Sequence, residues 1–220
     1  MSPPPHDGAS AGARFANRAA AGVELARLLI ALHPKPDCVL GLPRGGVVVA
    51  AELARVLGAR LDVLVSMKLH VPGRPELAAG AVAPGAVLID ERAVHEYGIS
   101  QRYLDVVADE LAREVAARMS TLRARRPPLD VAGRHVVVVD DGVASGATLA
   151  AAVLAARAAG AARVTAAAPV ASPDGRRALA IADDVVVIRV PDHFGMVSDA
   201  YIDFGEVSDA VVCRLLDARL

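Results

Sequence analysis

The sequence has no tryptophan, six aromatic residues and two cysteines, Cys38 and Cys213. Two cysteines are too few for a disulfide scaffold and their spacing matches no zinc motif, so we expect a chain of the reducing cytoplasm. Lysine is scarce as well, with two lysines beside 22 arginines. The 25 acidic and 24 basic residues nearly cancel, which leaves no global field to attract nucleic acid or a membrane surface.

Long apolar runs are also missing. No run approaches the roughly 18 residues of a membrane-spanning helix. The first residues carry three prolines and no apolar stretch, unlike a secretory signal. The chain instead has 54% hydrophobic residues over 220 positions, which excludes global disorder and suffices for a sizeable core. We expect a flexible N-terminal tail over 1–13 and one domain over 14–220.

Short Val-rich runs alternate with helical patterns along this domain. Four consecutive valines over 136–139 are typical of a strand buried on both faces of a parallel sheet. Similar runs predict further strands over 38–42, 61–67, 86–90, 164–170 and 185–190. We therefore expect an α/β fold with a mostly parallel central sheet flanked by helices. Such sheets bind ligands beyond the carboxyl ends of their strands, so the segments that follow strands are informative.

Two acidic residues, Asp140 and Asp141, end the valine run. The loop after them consists of Gly142, Val143, Ala144, Ser145, Gly146, Ala147 and Thr148. Small residues let backbone N–H groups close around an anion, and the next helix N-terminus adds positive potential. Carboxylates instead suit hydroxyl groups or a cation. A ribose 5-phosphate carries both kinds of group; the alternative, an ordinary turn, leaves two repelling carboxylates unexplained.

A second candidate anion loop spans 41–46 and also follows a strand. Gly45 and Gly46 permit close approach of the backbone to an anion, and Arg44 offers a fork of donors. Lys68 follows the run 61–67. The competing interpretation of Arg44 is a tight turn with a surface arginine, and that of Lys68 is a solvated lysine at a strand end.

Two further segments lack periodicity. Residues 69–85 contain three prolines and three glycines, which predicts a long loop. Residues 191–206 hold half of the aromatic residues, namely Phe194, Tyr201 and Phe204. A small local core is one interpretation of these aromatics, and the resemblance described below implies another.

The segment 136–149 resembles the phosphoribosyl pyrophosphate (PRPP) motif of type I phosphoribosyltransferases. That motif has four hydrophobic residues, two acids and a loop of small and hydroxyl residues; Ala144 departs from it where a hydroxyl residue is common. Together with 41–46, Lys68, 75–78 and 201–204, the resemblance spans about 15–218. It points to a poorly characterised subgroup whose acceptor is unassigned.

The resemblance implies transfer of ribose 5-phosphate from PRPP to a small-molecule acceptor, a nitrogenous base by preference, with release of pyrophosphate. It implies that Asp140 and Asp141 hold the ribose hydroxyls, that 144–148 hold the 5-phosphate, and that Arg44 and Lys68 act at the pyrophosphate. Phe194, in a hood over 191–206, would stack on the acceptor. Mg²⁺ would bind through substrate and water, without direct protein ligands, and 69–85 would close over the reacting centre. Dimers are common in the family, so a homodimer is a further expectation.

Two other functions stay open at this point. A PRPP- or nucleotide-sensing regulator would keep the same residues without turnover. A phosphatase acting on a sugar phosphate would release inorganic phosphate, although no nucleophile–base pair supports it. Pyrophosphate release separates these functions.

Overall fold

The computed structural model describes residues 14–32, 35–124 and 126–218, so the predicted tail over 1–13 lies outside the described residues. The helices are α1 (Arg18–Leu32), α2 (Gly45–Leu57), α3 (Glu91–Tyr97), α4 (Gln101–Arg123), α5 (Ala147–Ala158), α6 (Pro173–Ala178) and α7 (Asp209–Asp217). The strands are β1 (Cys38–Gly41), β2 (Arg60–Val63), β3 (Met67–Val71), β4 (Arg74–Ala83), β5 (Ala86–Ile89), β6 (His135–Val139), β7 (Arg163–Val170) and β8 (Asp184–Arg189). None of the described helices has the length and apolarity needed to cross a membrane.

The central sheet is parallel, with strand order β2-β1-β6-β7-β8. Val136 and Val138 of β6 pack into the same cluster as α5, whereas Val137 and Val139 pack with α1 and α2. Both faces of β6 are therefore covered by helices, which accounts for its unbroken valine run. The prediction of an α/β fold with a flanked parallel sheet is confirmed.

The chain order creates a crevice between β1 and β6. These strands are neighbours, but the chain continues from β1 to β2 on one side and from β6 to β7 on the other. The helices that follow β1 and β6, α2 and α5, consequently pack on opposite faces of the sheet. In open α/β sheets this crevice is the place where ligands bind.

A second, antiparallel sheet of order β3-β4-β5 covers α5 from the side opposite the central sheet. Ala81 and Ala83 of β4 belong to the same buried cluster as the alanines of α5. A helix enclosed between two sheets has no polar face to display, and small side chains let both sheets approach it. This explains why α5 is almost free of charged residues.

The prediction of a long loop over 69–85 is wrong, because β3 and β4 occupy most of this segment. Gly73 and Gly85 have φ of 72° and 69° and make the turns that follow β3 and β4. Gly80 lies inside β4, where a Cβ would stand 2.1 Å from the Leu88 carbonyl oxygen. The glycines that hide the strand pattern are thus required by two turns and one close strand contact.

Two smaller differences concern the surrounding elements. The run predicted over 61–67 divides, because β2 ends at Val63 and Met67 opens β3. Lys68 is therefore the second residue of β3 and does not follow a central strand. Helix α3 was missed by the periodicity, although Asp90 caps it by accepting hydrogen bonds from the N–H groups of Arg92 and Ala93.

The segment 191–206 is irregular apart from one short 3₁₀ turn, Val197–Ala200. It pairs with the N-terminal end of the described chain, since Phe15 N–H donates to the Ala200 carbonyl and Ile202 N–H to the Phe15 carbonyl, both at 2.8 Å. We call 191–206 the hood segment. The hood segment lies beside the N-terminal end of α1.

Candidate functional site

The loop after β1 packs directly on the acidic pair after β6. A Cβ on Gly46 would stand 2.8 Å from the Val139 carbonyl oxygen and 2.9 Å from the Asp140 Cα, and one on Gly45 would stand 1.8 Å from Asp141 Oδ2. Only glycine fits at these two positions. The two loops that the sequence singled out are therefore in contact at the β1–β6 crevice.

A cleft of about 220 Å³ opens along the loop after β6. Its lining consists of Lys68, Asp140, Gly142, Val143, Ala144, Ser145, Gly146, Thr148, Leu149 and Val197. The cleft brings together a carboxyl group, a cation and the N-terminus of a helix. Most of the predicted ribose 5-phosphate residues lie around it.

The loop between β6 and α5 is held in place by hydrogen bonds to the end of β7 and to Ser172, the N-terminal cap of α6. Val143 N–H donates to the Val170 carbonyl at 2.9 Å, and Ser172 N–H donates to the Val143 carbonyl at 2.8 Å. Gly146, with φ of 81°, turns the chain into α5. The first N–H groups of a helix lack partners within the helix, so this end of α5 offers donors and positive potential to an anion.

The two carboxyl groups of the acidic pair have different surroundings. Asp140 lines the cleft, and its Oδ1 accepts a hydrogen bond of 2.8 Å from the Asp141 N–H. Burial, followed by the charge of Asp141, raises the pKa of Asp140 well above its ordinary value. The Asp141 carboxyl instead forms an ion pair with Arg18, in which Nε lies 2.6 Å from Oδ2.

Arg18 is a site residue that the sequence analysis missed. Its side chain is 11% exposed, its Nη1 donates to the Gly205 carbonyl at 2.7 Å, and its Cζ stands 3.7 Å from the Phe204 ring centroid. The one sequence signal is its place in the first turn of α1, where the helix dipole disfavours a cation. A cation at such a position implies a partner elsewhere, but the sequence does not identify that partner.

Aromatic rings connect Arg18 to a second arginine. The rings of Phe15, Tyr201 and Phe204 lie in a row, tilted against each other, with centroid separations of 5.5 and 5.1 Å. The Arg189 Cζ lies 3.7 Å from the Phe15 ring centroid. The Tyr201 hydroxyl donates to the Asp141 carbonyl oxygen. Burial, with the charge of Asp141, raises the pKa of Tyr201, so this hydroxyl keeps its proton. We call these five side chains the ring stack.

The remaining predicted residues lie at varying distances from the cleft. Lys68 is exposed and lines it. Arg44 follows a cis peptide bond with Pro43, and its guanidinium is 3.5 Å from the Glu206 carboxylate of the hood segment. Phe194 is half-buried against the cluster of Phe15 and Tyr201. Packing of the hood aromatics into a local core, one of the two interpretations offered by the sequence, is thus observed.

The donors around the cleft are compatible with Mg²⁺ held mainly by a ligand. Among residues 14–32, 35–124 and 126–218, no group of three or more His, Cys, Asp or Glu side chains could enclose a metal ion. Asp140 supplies one carboxyl group at the cleft, and Asp141 is engaged by Arg18. Mg²⁺ commonly binds through one carboxylate together with phosphate oxygens and water, which this donor set allows.

Comparison with known proteins agrees with the geometry. A family model described as a phosphoribosyl transferase domain matches residues 13–204. Two curated proteins of Mycobacterium tuberculosis, from strains CDC 1551 / Oshkosh and ATCC 25618 / H37Rv, are each named a putative phosphoribosyl transferase. Both are 41% identical over 205 residues, which cover 92% of this chain and 46% of each relative. The chain thus spans about half the length of the curated relatives it matches.

A solved structure is also similar over most of the chain. The crystal structure of TT1426 from Thermus thermophilus is similar with a TM-score of 0.80 and 43% sequence identity. The match covers 92% of this chain and 97% of that chain.

Proposed function

Since this chain belongs to the phosphoribosyl transferase domain family, we propose that it transfers ribose 5-phosphate from PRPP to a nitrogenous base and releases pyrophosphate. The observation that carries the proposal is the meeting of two loops at the β1–β6 crevice. One loop presents Asp140 and the N-terminus of α5, and the other presents Gly45 and Gly46 against the acidic pair. This arrangement suits a ligand with a phosphate at one end and a diol beside it.

The residues support a division of tasks in the reaction. The 5-phosphate would lie against the backbone N–H groups at the start of α5, where Ser145 and Thr148 line the cleft. The ribose hydroxyls would reach the acidic pair. The bond between the anomeric carbon and a pyrophosphate oxygen would then break while an acceptor nitrogen bonds to that carbon, and pyrophosphate would leave with the bonding electrons.

Two cations are suited to the departing pyrophosphate. Lys68 lines the cleft, and the exposed Arg44 stands at the start of α2. Both would stabilise charge that grows on the leaving group. Arg44 would first have to exchange Glu206 for the substrate, an exposed ion pair of little cost.

Mg²⁺ belongs to the proposal as a cofactor. Held by pyrophosphate oxygens and water, with Asp140 as the nearby carboxyl group, it would neutralise part of the charge on PRPP. The chain's own residues would orient the ribose and shield the reacting carbon from water.

The acceptor would enter beside the hood segment. Val197 contributes to both the cleft and the hood segment, and it packs closely on Gly142, where a Cβ would stand 2.3 Å from a Val197 methyl group. The role of Phe194 in acceptor stacking stays a prediction, because its ring packs beside Phe15 and Tyr201.

The test is calorimetric titration of PRPP into the protein with and without Mg²⁺, followed by a screen of base acceptors for pyrophosphate release. We expect saturable, Mg²⁺-dependent binding by the wild type. The double variant Asp140→Asn/Asp141→Asn should stay folded and lose that binding. Unchanged PRPP affinity in the double variant would refute the proposed site, and binding without any pyrophosphate release would favour a sensor.

A further inference from the structure

We propose that the outer edge of β8 pairs with the same edge of a second copy of this chain, so that two central sheets join into one continuous sheet. The two β8 strands would run antiparallel, related by a two-fold axis perpendicular to the sheet. This interface is independent of the proposed function, because no residue that lines the cleft belongs to β8.

The first observation is that β8 is an open edge. It is the last strand of the central sheet, and no strand in the part of the chain that the structure describes pairs with its outer side. Val185 and Val187 pack on the side of α5. Val186 and Ile188 pack on the side of α1 and α2. Because helices cover both faces, the partial exposure of five of the six β8 residues lies along the edge.

The second observation is that β8 lacks the features by which edge strands usually avoid pairing. These features are a charged side chain within the strand, a proline, a bulge or a very short strand. β8 has six residues, its charged residues stand at its two ends, and four β-branched apolar residues, 185–188, fill its interior. Its register with β7 keeps one offset from Asp184 to Arg189, so no bulge interrupts it. A strand of this kind favours pairing with another strand.

The opposite edge of the same sheet, β2, is protected. β2 has four residues, one of them the buried Asp62, whose carboxylate accepts a hydrogen bond from the Leu129 N–H. The Arg123 guanidinium donates to the carbonyl oxygen of Val63, the last residue of β2, at 3.1 Å. Of the two edges of the central sheet, the described residues thus cover β2 and leave β8 open.

Pairing between identical strands restricts the register. Opposite residues in an antiparallel pair direct their N–H and C=O groups either both toward the partner strand or both away from it. Since these directions alternate along a strand, opposite residues must be an even number of positions apart in sequence, and one residue lies opposite its own copy. A centre at Val186 places Val185 opposite Val187 of the second copy, and β-branched pairs of this kind fit well across a sheet.

The same register brings opposite charges together. Asp183, which directly precedes β8, would lie opposite Arg189 of the second copy, and the two-fold axis repeats this junction at the other end. Within each chain Asp183 pairs with Arg157 and Arg189 with Glu24, so each junction would extend an alternating row of charges. Opposite charges across two strands stabilise their pairing and like charges destabilise it. The charge pattern of β8 is thus complementary to its own copy.

Exposed apolar side chains stand at both ends of β8. Ile181, in the short 3₁₀ turn before β8, is 37% exposed, and Val190, just after β8, is 39% exposed. In the register centred on Val186, Val190 lies opposite Ala182 of the second copy. Since one strand pair with these flanking side chains is a small interface, we expect a weak, reversible dimer with a Kd on the order of 10 μM.

The first test is sedimentation equilibrium of the whole chain at concentrations from well below to well above this Kd. We expect a reversible shift from the mass of one chain to the mass of two. Hydrogen exchange followed by mass spectrometry then locates the contact. The β8 N–H groups that face away from β7 should exchange more slowly at the higher concentration, whereas exchange in β2 should not change.

Two opposite charges at one position separate strand pairing from a general effect of a charged surface. Val190→Glu would set a carboxylate near the acidic end of the second strand at both junctions and should raise the Kd of the dimer about tenfold. Val190→Lys alters the same exposed side chain but adds a cation there, and its dimer should be clearly tighter than that of Val190→Glu. Val106→Glu, at an exposed position of α4, is the remote control and should dimerise as the wild type does.

Three results would overturn the proposal. One is a wild type that stays monomeric over the whole concentration range. Another is a dimer in which β8 gains no protection, or in which both variants of Val190 behave alike, because a different surface then holds the two copies together. The third is protection of β8 that does not depend on concentration, which would mean that the edge is covered by residues of its own chain.

Discussion

Two effects disfavour the ionised form of the Asp140 carboxyl group and so raise its pKa. They are the loss of solvent on burial and the charge of Asp141. The folded protein then binds this proton more tightly than the unfolded chain does. Stability from this group is complete below the ordinary Asp pKa of 3.8 and is lost as the pH rises through the raised value. Ionised Asp140 therefore destabilises the free protein.

Asp140→Asn should consequently stabilise the free protein at pH 8 while it weakens ribose 5-phosphate binding. The amide keeps the shape and removes the charge. We expect an increase in Tm of roughly 2–4 °C, the change that about 1 kcal/mol produces in a chain of this length. The gain should vanish near pH 3, where both proteins are neutral at this position. Calorimetric scans at the two pH values check this, and a lower Tm at pH 8 would contradict it.

Gly45→Ala should damage the site from outside the cleft. Its Cβ would stand 1.8 Å from Asp141 Oδ2 and 2.7 Å from Arg18 Nε, so the ion pair must separate. We expect a loss of about 1–3 kcal/mol in the free energy of unfolding, as for other overpacked positions, and weaker ribose 5-phosphate binding. Gly205→Ala is the control, since its Cβ would meet only Asp203 Oδ1 at 3.4 Å. Equal denaturant midpoints for the two variants would refute the argument.

Among the structural elements, β2 and α4 are joined by a buried ion pair. Arg123 Nη2 lies 2.8 Å from Asp62 Oδ2, and the two side chains are 17% and 8% exposed. Asp62 also accepts the N–H groups of Val63 and Leu129, at 2.7 and 3.1 Å. Several hydrogen bonds thus compensate the buried carboxylate, and its burial becomes costly if Arg123 is removed.

Arg123→Met should therefore cost about 3–5 kcal/mol of stability, since it leaves a buried carboxylate without its counter-ion. Arg118→Met, on the same helix, removes a more exposed pair with Asp209 and should cost less than about 1 kcal/mol. Urea unfolding of both variants measures the difference. Similar losses for the two would show that burial does not decide the contribution.

The sequence predicts an element well where a local pattern decides its structure. The buried β6 run is an example, because four consecutive valines indicate it without reference to the rest of the chain. The β3–β4 hairpin was not predicted, because Gly80 interrupts the strand pattern and is required by the Leu88 carbonyl group on a different strand, β5. Arg18 was not identified as a site residue for the same reason, because its partner Asp141 lies 123 positions further along the chain.

The candidate site was predictable to a similar extent. The loop after β6 carries its own pattern, so the residues that this loop contributes to the cleft were identified without a structure, whereas Val197 of the hood segment was not. The difference between Asp140 and Asp141 was not, because adjacent identical residues look equivalent in a sequence. Only the packing of Gly45 and Arg18 against one of them distinguishes the two.

For the whole molecule, ligand binding should appear as a gain in thermal stability. A ligand that binds only the folded state at 100 times its Kd adds about 2.7 kcal/mol, which for this length corresponds to roughly 5–10 °C in Tm. We expect PRPP with Mg²⁺ to produce such a shift, and EDTA to abolish it. A shift that is equal with and without EDTA would contradict the proposed role of Mg²⁺.

The ring stack joins residues that are far apart in the order of synthesis. Phe15 and Arg18 are made before the acidic pair, and Tyr201 and Phe204 come after the last strand of the central sheet, which ends at Arg189. A nascent chain that has already formed all five parallel strands still lacks the groups that anchor Asp141. The anchoring of Asp141 is thus completed only after the hood segment has been made, and we expect a chain cut short in the hood segment to bind ribose 5-phosphate more weakly, although it carries every residue of the β6 loop.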